Sequence, residues 1–112
     1  MNYSIIPTSR FKKEAKRLSK HFPSLKKDLA ELEQSLLKNP TQGISLGNNT
    51  FKIRLAIKSK GKGKSGGGRV ISYVVMDHHE IYLLSIYDKS ELSTISDKTL
   101  KILVAEIKSV KI

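Results

Sequence analysis

From Phe51 to Lys58 apolar and polar positions alternate. Phe51, Ile53, Leu55 and Ile57 fall on one face, and Lys52, Arg54, Ala56 and Lys58 on the other. This period of two predicts a half-buried strand. Arg69–Met76 (RVISYVVM) is more densely apolar and suits the middle of a sheet. Glu80–Tyr87 predicts a third strand, entered through a turn at Asp77-His78-His79. Upstream the period lengthens. Phe11, Ala15, Leu18 and Phe22 form one helical stripe, and Leu25, Leu29, Leu32 and Leu36 a second. Thr8 or Ser9 can cap the first helix, Pro23 separates the two, and Asn39-Pro40 ends the second. Tyr3–Ile6 predicts a short edge strand, and Thr41–Thr50 a polar connection. Leu100, Leu103, Val104 and Ile107 mark a final helix behind the capping residues Thr94, Ser96 and Asp97. The predicted order is β-α-α-β-β-β-α. That order indicates an α+β domain, residues 1–112, with an antiparallel sheet and helices packed on one face.

Charge changes the picture in the middle of the chain. The formal net charge is +11, and residues 34–76 hold eight Lys or Arg with no Asp or Glu. Such a one-signed field points to a polyanionic partner. Between the first two predicted strands lies Ser59–Gly68 (SKGKGKSGGG), which reads as a flexible, charged hairpin loop. The chain has no cysteine, which suits a reducing cytoplasm. Its first residues hold no run of signal-peptide length, and no stretch is long enough to span a membrane, so no membrane partner is expected.

Two motifs fall short of a site. Gly63-Lys64-Ser65 resembles the end of a P-loop, but Lys58 stands where the first glycine is required, and a strand follows instead of a helix. His78 and His79 are neighbours without cysteine or clustered carboxylates to complete a metal set, and they read as a turn. No metal or cofactor is expected. A more coherent set is cationic. Lys52, Arg54 and Arg69 can line one sheet face, with Tyr87 and Lys89 beside it at the end of the last strand. Arginine grips phosphate oxygens in a fork, and a lysine crowded by other cations can act as a base. A phosphodiester is the substrate class that such a set suits. A solvated basic surface is the plain alternative.

The segments YSIIPTSRFKKEAKRL, GNNTFKIRLAI, GKSGGGRVISYVV and EIYLLSIYDKSE, in that order, resemble the RelE/ParE superfamily of bacterial toxins, the toxin halves of type II toxin–antitoxin modules. The resemblance runs over nearly the whole chain. It implies a short N-terminal strand and a helical hairpin packed on a twisted antiparallel sheet. It also implies a metal-independent endoribonuclease that cuts messenger RNA in the ribosomal A site, with the RNA 2′-hydroxyl as nucleophile. Lys52 and Arg54 match the basic pair of the second strand in RelE-like toxins, Arg69 the arginine opening the next, and Lys89 the basic residue after the last. A late tyrosine used by some members falls near Ile95 here, and Tyr87 is the available substitute for stacking or proton transfer. Lys52, Arg54 or Lys89 would serve as base or acid, and Arg69 would stabilise the transition state. Lys58, Lys60, Lys62 and Lys64 would hold RNA or the ribosome. The implied partners are an acidic antitoxin encoded by an adjacent gene, the ribosome and messenger RNA, in the cytoplasm. A ParE-like gyrase inhibitor and a non-catalytic RNA-binding module remain the alternatives.

Overall fold

The structure, a computed structural model, describes residues 2–111. Strand β1 (Ser4–Pro7) leads into helices α1 (Ser9–His21) and α2 (Leu25–Lys38). Strands β2 (Ile44–Gly47), β3 (Thr50–Leu55), β4 (Gly68–Val75) and β5 (Glu80–Asp88) follow, and helix α3 (Asp97–Lys111) ends the chain. The sheet order is β1-β5-β4-β3-β2. Every neighbouring pair is antiparallel except β1, which runs parallel to β5. The α+β architecture with a helical hairpin on the sheet is the expected one.

The helices form where the stripes place them. The Thr8 hydroxyl accepts from the Phe11 amide at 3.2 Å and caps α1. Phe11 and Leu18 of α1 are buried with Leu25, Leu29, Leu32 and Leu36 of α2. They cover Ile53, Leu55, Val70, Val74, Ile81, Leu83 and Ile86 on one sheet face.

Three features differ from expectation. The final helix does not join the others, because α3 packs Leu100, Leu103 and Val104 against Ile71, Tyr73, Tyr82 and Leu84 on the opposite face. The reason is visible in β4 and β5, which are apolar on both sides and need cover on both. The connection read as polar contains β2, an edge strand whose four residues are all exposed. Asn48 and Asn49, at φ of 51° and 62°, make the left-handed hairpin turn into β3. Finally, β3 ends at Leu55 rather than running to Lys58. Ile57 remains buried, and the chain then turns through Lys58–Lys60.

That turn is not loose. Asp28, buried near the start of α2, accepts from the Lys58 amide at 3.2 Å and from the Ser24 hydroxyl at 2.7 Å. The Ser24 hydroxyl oxygen accepts from the Ser59 amide at 2.8 Å. The root of the expected flexible loop is therefore tied to the helical hairpin.

Candidate nucleic-acid interface

The cationic positions gather on the face that α3 leaves partly open. Arg54 lies opposite Arg69, and Arg69 opposite Tyr87, so the three form one row across β3, β4 and β5. Lys52 lies two residues from Arg54 on the same face, opposite Ile44 of β2. Ile44, Lys52, Arg54, Arg69, Lys89 and Ser93 line a depression of about 180 Å³. A shallower hollow of about 460 Å³ continues it past Gln42 and Gly43 to Lys64. No carboxylate lines either space. A separate hollow of about 310 Å³ between α3 and the β2–β3 turn holds Asp97, Lys101 and Lys108, without a comparable grouping of cations.

Of the residues picked out by sequence, Lys52, Arg54, Arg69 and Lys89 come together. Arg69 is only 4% exposed. Its Nη1 donates to the carbonyls of Lys64 (3.0 Å) and Gly68 (2.9 Å), and its Nη2 to that of Ser65 (3.2 Å). One guanidinium thus shapes the glycine-rich loop and supplies charge to the floor of the depression.

Tyr87 does not project as expected. It is 5% exposed and packs with Ile95, Leu100 and Leu103. Thr94 and the backbone of Ile95 lie beside its hydroxyl without a well-formed hydrogen bond. Burial pushes the phenol pKa up, against the weaker opposing effects of Thr94, Ile95 and Arg69. A ring so placed cannot stack on a base, and a phenol kept protonated is no base near neutral pH. Tyr87 reaches this face only through an irregularity in β5. Strict alternation from Ile81 and Leu83 would turn it toward the helical hairpin. The register shifts where Ile71 pairs with Ser85 and Ser72 with Leu83, which resets the faces. Glu14 of α1 braces that point, its Oε1 accepting from Ser85 Oγ (2.8 Å) and the Ile86 amide (3.2 Å).

The loop lysines divide into two pairs. Lys58 Nζ meets Glu31 at 2.9 Å on the surface, and that hydrogen bond raises the Lys58 pKa and lowers that of Glu31. Lys60 is turned inward onto Asp88, its ammonium 5.9 Å from the centre of the Phe22 ring. The expectation that Lys60 reaches RNA is therefore corrected, because its charge is spent on a buried carboxylate. Lys62 and Lys64 are exposed and have no ion-pair partner among the described residues. Sequence reasoning missed Asp88, Asp28 and Glu14. The only signal for Glu14 is that it is the sole acid on a helix otherwise rich in Lys and Arg.

Among the described residues no group of three or more His, Cys, Asp or Glu could hold a metal, and no helix is long and apolar enough to cross a membrane. No protein-family profile matches the chain. Among solved structures, a doubly substituted E. coli toxin RelE in the free state aligns with a TM-score of 0.60 at 17% identity, covering 83% of this chain and 90% of that one. The chain therefore has the RelE toxin fold. An isolated E. coli RelE toxin (TM-score 0.49, 21% identity, 94% and 98% covered) and the intact E. coli RelBE toxin–antitoxin complex (0.49, 22%, 77% and 95%) are more distant matches.

Proposed function

We propose that this protein is the toxin of a toxin–antitoxin module and a ribosome-dependent endoribonuclease acting on messenger RNA in the cytoplasm. The observation that carries the reading is the carboxylate-free depression lined by Lys52, Arg54, Arg69 and Lys89 on a RelE-type sheet. The amine of Lys52 or Lys89 takes the proton from a ribose 2′-hydroxyl, whose oxygen then attacks the adjacent phosphorus, while Arg54, a donor only, serves on the acid side. The bond to the 5′-oxygen breaks, and a second member of the set returns a proton to it. The products are a 2′,3′-cyclic phosphate and a 5′-hydroxyl end. Arg69 places fixed positive charge beside the phosphorus as negative charge builds there. Lys62 and Lys64 supply sequence-independent attraction to the backbone. An acidic antitoxin is the partner that the +11 charge fits.

The test is to map transcript 5′ ends after induced expression. Cuts confined to translated, in-frame positions are expected, and they should vanish with Arg54→Ala and Lys89→Ala variants that remain folded. Arrest of DNA replication before translation, without such cuts, would replace this reading with a gyrase inhibitor.

A further inference from the structure

We infer that the buried Lys60–Asp88 ion pair is a positioning device that aims Lys89 into the cationic depression. The inference rests on the role of Lys89 proposed above. Lys60 and Asp88 side chains are 11% and 7% exposed, against 50% or more for both partners of the Lys58–Glu31 pair. Asp88 Oδ1 also accepts the Ser90 amide at 3.0 Å, and the Asp88 carbonyl accepts the amides of Glu91 (3.0 Å) and Leu92 (3.1 Å). One residue thus closes the turn that carries Lys89.

The β4–β5 ladder ends at the Gly68–Asp88 pair. Past it the Lys89 backbone keeps one strut among the described residues, its amide donating to Gly67 O at 3.1 Å. That strut belongs to the same glycine-rich loop that Lys60 anchors from its other end. The ion pair therefore clamps the loop and the turn to each other, with Lys89 at the junction. The chain has free lysines in this loop, yet only Lys60 is withdrawn from solvent. A group held by so few bonds is easily misplaced, and a displacement of about 1 Å can cost about a hundredfold in rate.

The test is a double-mutant cycle on purified protein cleaving programmed ribosomes under single-turnover conditions. Lys60→Met should lower the saturating rate about ten- to a hundredfold, with less change in half-saturating ribosome concentration. Lys60→Arg, which keeps the charge, should recover most of that rate. In a Lys89→Ala background, Lys60→Met should cost little more, since the group it positions is gone. Should Lys60→Met not fold, Asp88→Asn takes its place, as it keeps the side-chain size and the Ser90 bond. If Lys89→Ala is impaired and Lys60→Met multiplies the loss in full, the clamp acts elsewhere and the inference fails while the proposed site stands. If Lys89→Ala cleaves at the wild-type rate, Lys89 leaves the site and the inference falls with it.

Discussion

Replacing Gly67 with alanine should do far more damage than its surroundings in a surface loop suggest. A Cβ there would lie 2.2 Å from the Leu55 carbonyl oxygen, 3.0 Å from Gly63 O and 3.1 Å from Ile57 N. All three are backbone atoms, so no rotamer change relieves the contact. Ordinary separation requires the loop to move by about 1 Å away from the end of β3, and overpacking of this kind costs about 1–3 kcal/mol. The movement also pulls Gly67 O from the Lys89 amide, a hydrogen bond worth about 1 kcal/mol. A total of about 3 kcal/mol corresponds to a fall in melting temperature of about 10–20 °C for a domain of this size. Gly63→Ala is the internal control. It has φ of +61° and nothing within 4 Å of an added Cβ, so only left-handed backbone strain of about 1–2 kcal/mol applies. Thermal unfolding followed by circular dichroism, with amide exchange at Lys89, reads both effects. A Gly67→Ala protein that melts within about 3 °C of the wild type, or above Gly63→Ala, would refute the steric argument.

Arg69→Ala should reduce cleavage about a hundredfold and speed amide exchange across residues 61–67, because the guanidinium serves both site and loop; normal exchange with lost cleavage would remove the loop-shaping role. Burial by itself raises the Asp88 carboxyl pKa, but hydrogen bonds from Lys60 and Ser90 outweigh it and hold the pKa low. Asp88 therefore contributes stability above an unfolded pKa of about 3.9, and the contribution is lost as pH falls through the lower folded value. Urea midpoints of the wild type and Asp88→Asn should converge in acid, and a constant gap down to pH of about 2.5 would contradict this. Lys62→Ser/Lys64→Ser should flatten the salt dependence of single-stranded RNA binding by about 0.7 per lost phosphate contact. The rate at saturating ribosomes should stay near wild type, and an unchanged slope would show that the two lysines touch no phosphate.

Much of the scaffold was legible because it is written in long-range periodicity. The leucines of α2 and the alternation of β3 each repeat often enough to fix element and face. Lys52 and Arg54 could be placed on one face for the same reason. Elements that depend on few residues were not legible. Strand β2 offers only Ile44 and Leu46 as an apolar signal, both exposed, and is held by pairing to β3. The side chosen by α3 depends on which face of β4 and β5 the hairpin leaves bare. Tyr87 lies on the expected face, brought there by a register shift near Ser85, but its burial under Ile95, Leu100 and Leu103 depends on where α3 docks and has no local signal. Lys60 was misread for a different reason. Its neighbours Lys62 and Lys64 look identical in sequence, and only the approach of Asp88, distant along the chain, distinguishes it.

The parallel pairing of β1 with β5 sets an order of assembly. The Thr8 hydroxyl meets the Leu83 carbonyl across 75 positions of sequence. Helix–coil relaxation and hairpin formation take microseconds or less, whereas contacts so distant along the chain are slow to form. The β3–β4 and β4–β5 hairpins, which carry the cationic row, can therefore form before β1 docks. Until it does, Glu80–Leu83 presents an open backbone edge, the kind of surface that invites pairing with another chain. A molecular chaperone or a partner protein would have its opening there, with the cationic half of the sheet already built and its outer seam still unclosed.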